Sequence, residues 1–184
     1  MKNRLMGVTL LIGGLAGLSA ILMDAQTSSA DRMKEGGMAG SADSAFMMKA
    51  AQGGLAEVQL ANLAQQHATN PAVKTFAQHM IDDHTKANDE LKALASQKSV
   101  TLPTDLDAKD QASMDKLSKL NGAAFDKAYM KNMVMDHKKT VAEFQKESNS
   151  GKDPDVKAWA SKTLPTLQNH LQMAMDTEQQ ASKM

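Results

Sequence analysis

Three short signals divide the chain: Asn70-Pro71, Asn121-Gly122 and Asp153-Pro154. Asn or Asp before Pro supplies a helix N-cap followed by a first helical residue whose missing N–H has no partner to lose. Asn-Gly, and Gly151 ahead of the third signal, end helices because Gly adopts the backbone turn a helix terminus needs. Between these signals, from Asp43 onward, Ala, Leu, Lys, Gln and Met dominate, and the turn clusters that would separate strands are missing. The spacing predicts long helices over 43–67, 71–98, 123–150 and from Pro154 onward, the last kinked at Pro165. Thr104 with Asp107 three residues on predicts a capping box for a short helix ending near Leu120. The connection from Ser99 to Gly122 can turn back locally or cross the bundle's length, and the expected fold is all-α, a ferritin-like four-helix bundle with that short helix in a full-length crossover between the second and third long helices.

The first residues read differently. Lys2 and Arg4 precede an apolar run from Leu5 to Met23, and Ser28-Ser29-Ala30 offers the small residues of a cleavage site. Residues 1–30 are expected to be a secretory signal, 31–42 a flexible linker and 43–184 the bundle. The alternative is an uncleaved anchor, because about 20 apolar residues suffice to span a bilayer. Cleavage leaves no transmembrane segment and puts the protein in the periplasm or outside the cell. The absence of Cys excludes a lipid anchor on the signal, disulfides, thiolate metal sites and a Cys nucleophile. Lys plus Arg and Asp plus Glu balance at 21 each, which argues against a nucleic-acid partner, since that needs a basic face.

At 100° per residue each long helix has one apolar stripe, and each stripe holds one residue out of place. Glu57 lies among Phe46, Ala50, Gly53, Ala61 and Ala64; His84 among Val73, Ala77, Met80, Leu91 and Ala95. His137 lies among Met130, Met133, Val141 and Phe144, and His170 among Trp159, Thr163, Thr166 and Ala174. A lone buried Glu or His is costly unless paired. At about 1.5 Å per residue all four sit near mid-height, whichever way the crossover runs. Three imidazoles and a carboxylate converging in a bundle core point to a mononuclear His3Glu metal site of Glu57, His84, His137 and His170. The competing reading is a buried Glu–His hydrogen-bond network without an ion.

Other residues flank this set. Asp83 and Asp136 precede core histidines at the edge of the buried face, where a carboxylate can orient an imidazole on a neighbouring helix. His67 at a helix end and His79 off the stripe are expected to face solvent. The chain is rich in Met, 15 in all against one Trp and one Tyr. Met80, Met133 and Met173 lie one turn from His84, His137 and His170 and are candidate soft ligands, although Met also fills irregular helix interfaces where aromatics are few.

Two segments repeat a setting: Phe76 to Lys86 and Tyr129 to Lys139 share an aromatic residue, Met, Ile or Val, Asp-His and Lys at one spacing. The segments Ala51–Val58, Ala68–Lys74, Met80–Asn88 and Leu164–His170 resemble the secreted bacterial family catalogued as domain of unknown function 4142 over about residues 43–176. The resemblance implies a ferritin-like fold and an envelope location, and it brings no reaction. The outer-membrane label its members carry meets a physical objection, because nothing here has the alternating strands of a barrel. Peripheral attachment to the outer membrane is the compatible form.

Di-iron bundles use Glu-x-x-His on two helices, whereas Ile81, Val134 and Leu167 stand three residues before the core histidines here. Two ions sharing carboxylates are therefore not expected. A single divalent ion is, with zinc first, copper second, and iron or manganese open. The leading expectation is a metal-binding bundle for storage, buffering or envelope stress protection. An envelope structural or interaction module and a mononuclear metalloenzyme are the alternatives, the last without a nucleophile–base pair or phosphate loop to support it. A homodimer stays open.

Overall fold

The computed structural model describes residues 40–183. The expected signal segment and most of the linker lie outside the described residues. Five helices follow: α1 Ser41–His67, α2 Pro71–Gln97, α3 Ala108–Leu117, α4 Gly122–Ser150 and α5 Pro154–Ser182. Among the described residues there is no strand, and no helix is long and apolar enough to cross a membrane.

The caps that define these helices are short polar side chains. Asn70 accepts from the Ala72 amide, and Asp153 accepts from the amides of Asp155 and Val156, each just ahead of a proline at the first helical position. The short helix begins later than a Thr104 capping box would place it. Asp107 is its N-cap and accepts from the Asp110 amide at 2.8 Å, while the Thr104 hydroxyl donates to Asp105. It also ends earlier, at Leu117 rather than near Leu120. Gly122 opens α4 at φ 60°, a left-handed conformation that favours Gly. Helix α5 continues on both sides of Pro165, which can make no N–H hydrogen bond to the carbonyl of Ser161.

Polar contacts between helix ends fix the topology. At one end Asp126, in the first turns of α4, accepts from the amides of Thr69 and Asn70 in the α1–α2 turn. The His67 ring, expected in solvent, is instead half-buried there, with Nδ1 2.7 Å from the Leu120 carbonyl and the ring beside Phe125. It is held because the bundle closes at that end and the last turn of α1 faces the start of α4. At the other end Lys98, just past α2, contacts Asp153 and Asp155 at the start of α5, and Asp43 accepts from the Lys152 amide. Helix α2 therefore finishes at the end opposite the one where α4 starts. Residues 98–121 traverse the bundle, α2 and α4 run parallel across a diagonal, and the helix pairs α1·α2, α2·α5, α5·α4 and α4·α1 are neighbours. One full-length crossover between two antiparallel pairs is the ferritin-like connectivity.

The core has two apolar halves. One gathers Leu60, Ala64, Phe76, Met80, Phe125, Tyr129, Met130 and Met133. The other gathers Met47, Leu91, Leu94, Phe144, Val156, Trp159 and Leu167, with the Phe46, Phe144 and Trp159 rings in mutual contact. Gly54 lets α1 and α2 approach closely, since a Cβ there would stand 2.0 Å from Asn88 Oδ1. On every long helix the chain passes from one half to the other through one polar residue: Glu57, His84, His137 or His170.

Candidate metal centre

The polar layer between the two halves is where a site forms. His84, His137 and His170 are 8%, 1% and 0% exposed, and their ring centroids stand 5.3–5.8 Å apart in a nearly equilateral triangle. One nitrogen from each ring lies within 4.8 Å of the other two. Helices α2, α4 and α5 each supply one imidazole because His84, His137 and His170 continue the apolar stripes that pack the bundle.

The outer edges of two rings fix their tautomers. His137 Nδ1 is 3.0 Å from the Met133 carbonyl, which only accepts, so Nδ1–H donates and Nε2 carries a lone pair. His170 Nε2 is 2.9 Å from Asp83 Oδ2, so Nε2–H donates and Nδ1 carries the lone pair. Those two nitrogens, together with His84 Nε2, are buried without a hydrogen-bond partner. Two lone pairs cannot satisfy each other. Burial holds all three imidazoles below their ordinary range: His84 well below it, with His137 and His170 adding to the effect, and His137 down to about 4. For His170 burial also dominates, with Asp83 acting in the opposite direction. The rings are neutral at neutral pH, the form that binds metals.

Glu57 stands on the fourth helix of the layer, with Oε1 3.6 Å from His137 Nδ1. That is the ring edge turned toward Met133, not the edge facing the other histidines, and Glu57 is not within the converging group. Burial, then the negative charges of Asp136 and Asp110, push its carboxyl up to about 8, and Oε2 is buried without a partner. With both groups neutral at pH 7, the 3.6 Å contact is no ion pair. Glu57, His84 and His137 line a cavity of about 130 Å³ whose outer wall includes Lys109, Asp110 and Asp136.

The flanking residues separate. Asp83 reaches an imidazole on a neighbouring helix, whereas Asp136 turns to Lys109 Nζ at 3.4 Å. His79 is exposed. Met80 and Met133 are fully buried in the first apolar half, Met173 packs partly buried against it, and no Met lines the cavity. The apolar stripes do not mark Asp43 and Asp126, two of the buried residues that tie the helix ends. Both lie on the same helix faces as Glu57 and His137, in the first turns of α1 and α4, and that shared face is the signal the sequence carries for them.

An all-α bundle of four long helices with a buried cluster of three imidazoles is the class of protein these observations define. The chain belongs to the family described as Domain of unknown function (DUF4142), whose family model matches residues 26–177. No curated protein matches it. A crystal structure of a DUF305 fragment from Deinococcus radiodurans is similar in fold, with a TM-score of 0.68 at 14% identity over 80% of this chain and 99% of that one.

Proposed function

We propose that the protein is a metal-binding helical bundle of the cell envelope that holds one divalent transition-metal ion on His84, His137 and His170, for storage, buffering or stress protection. The observation that carries this reading is the set of three buried ring nitrogens without a hydrogen-bond partner, two of them held as lone pairs by the hydrogen bond at the other nitrogen of the ring. An ion is the partner that all three can share. A purely polar network is the weaker account, because it leaves each of those nitrogens unsatisfied in an apolar core, at about 1–3 kcal/mol each.

Zinc suits neutral imidazoles best, with copper second and iron or manganese next. Zinc–nitrogen bonds of about 2.1 Å bring ligand nitrogens to about 3.4 Å from one another, so the cluster would close by little more than an ångström. The buried methionines, absent from the cavity wall, give copper less support. Glu57 belongs to the site through the cavity it shares with His84 and His137, where its bare oxygen can take the fourth position or hold a water there. Signal cleavage and a periplasmic location complete the proposal and rest on the N-terminal sequence alone.

Elemental analysis of the protein purified from periplasm, beside His137→Ala and Glu57→Ala, tests it. One equivalent of metal in the wild type, lost in His137→Ala, is expected. Metal-free wild-type protein that also fails to take up added zinc or copper would refute the proposal.

A further inference from the structure

His170 is sealed from solvent, whereas His84 and His137 line a cavity that reaches the surface beside α3. The cavity offers an ion an approach from the α3 side. Along that approach exposure falls stepwise: the Lys109 side chain is 60% exposed, those of Asp136 and Asp110 23% and 15%, and that of Glu57 10%. The three carboxylates share one electrostatic neighbourhood, since Asp136 and Asp110 both act on Glu57. Lys109 Nζ sits among them, 3.4 Å from Asp136 and 3.7 Å from Asp110.

Acidic residues at a cavity mouth do not alone make a site. Here the cavity they border also holds three bare, buried atoms on its wall residues, Glu57 Oε2, His84 Nε2 and His137 Nε2. Oxygen donors at the mouth and nitrogen donors beneath suit a divalent cation that sheds its water in stages. The ammonium of Lys109 is the cation that contacts both Asp110 and Asp136 at the cavity mouth.

We propose that this cavity is the inlet for the divalent cation, that Asp110 and Asp136, and then Glu57 as the arriving ion displaces its carboxyl proton to solvent, relay it to the histidines, and that Lys109 is a tethered cation holding the relay until the metal displaces it. This rests on the metal reading above. The Lys109 pairs are exposed and weak, so the side chain leaves at little cost and slows loading only modestly. Gly53 borders the same cavity, and a Cβ there would meet nothing within 4 Å, so a larger side chain has room to stand in the opening.

The test is stopped-flow uptake of Zn²⁺ by the metal-free chain, with a chromophoric zinc indicator, alongside zinc stoichiometry at equilibrium. The double variant Asp110→Asn, Asp136→Asn is expected to load about tenfold more slowly, with a weaker salt dependence. Lys109→Met is expected to load about two- to fivefold faster. Gly53→Leu, which gains helix propensity, should stay folded and load more slowly. All three should still bind the wild-type equivalent of zinc, which also reports that they are folded. Unchanged rates with full stoichiometry would overturn the inlet alone. Loss of stoichiometry in the double variant would make those carboxylates ligands rather than a relay, and also overturns it. A wild-type chain that takes up no zinc overturns both readings.

Discussion

Asp83 on α2 and His170 on α5 are joined across the bundle by a 2.9 Å contact between Oδ2 and Nε2. The contact aims the lone pair of His170 Nδ1 inward, toward the helix that carries His84, one residue after Asp83. One turn of α2 thus supplies one ligand candidate and orients a second. Asp83→Ala is expected to weaken zinc binding about 10- to 100-fold, the usual cost of losing the outer partner of a ligating imidazole. Asp83→Asn should keep much of the affinity, because its carbonyl oxygen still accepts. The Asp83 side chain is 45% exposed, so the urea midpoint should hardly move. Chelator competition and urea titration on the same samples check this, and equal affinity in all three proteins would count against it.

The three bare nitrogens impose a stability cost on the metal-free protein that the metal would remove. His84→Leu is therefore expected to leave the metal-free bundle as stable as wild type or more so, since an apolar side chain of similar size needs no partner. At free zinc about 1,000-fold above Kd the wild type should gain about 4 kcal/mol while the variant gains none. Thermal melts with and without zinc measure this. A variant destabilised in both conditions would instead mark His84 as a member of a structural network.

Much of this arrangement was legible in the sequence because helices encode their buried face with a fixed period. Asn70-Pro71 and Asp153-Pro154 set two helix starts through local chemistry, and the stripes placed Glu57, His84, His137 and His170 in one layer. The crossover direction was a choice between two paths, decided by contacts distant in sequence: Lys98 with Asp153 and Asp126 with Asn70. Side-chain rotation was not encoded in the stripe either. A helical wheel gives direction from the axis but not which ring edge faces the centre, so it grouped Glu57 with three imidazoles that the structure brings together without it. Lys109 and Asp110 were invisible for a different reason. They belong to a polar helix whose contact with the bundle follows from the crossover, not from a period of its own.

Glu147 near the end of α4 gives a pH dependence remote from the histidines. Burial, and then its hydrogen bond to Asp43, push its carboxyl up to about 7 from an ordinary value of 4.5. A group whose pKa is raised on folding stabilises the fold fully below its unfolded value, and that contribution is lost as pH rises through the folded one. The wild type should thus lose stability between about pH 4.5 and 7 from this residue. Glu147→Gln keeps a donor for Asp43 without the titration. Its urea midpoint is expected to match wild type near pH 4 and to exceed it at pH 8 by roughly half a molar or less. A midpoint difference of the same size at both pH values would show that Glu147 does not titrate in this range.

Lys98, at the same end of the bundle, anchors the C-terminus of α2. Its side chain is 3% exposed, and Nζ lies 2.8 Å from Asp153 and 2.6 Å from Asp155. The two carboxylates differ. Asp153 is buried and also caps α5, while Asp155 is 63% exposed and can return to water. Lys98→Met fits a chain of similar length into the site but leaves the Asp153 charge without its counterion. The expected loss is about 3 kcal/mol, the cost of removing one partner of a buried pair. Asp155→Asn removes only the exposed partner and should cost under about 1 kcal/mol. Because the two anchors tie the crossover's start to the α4–α5 turn, Lys98→Met should also raise amide exchange at the start of α5 while leaving Phe125 and Tyr129 at the far end protected. Urea titration and hydrogen exchange measure the two effects, and a Lys98→Met midpoint equal to wild type would show that water, not Lys98, satisfies Asp153.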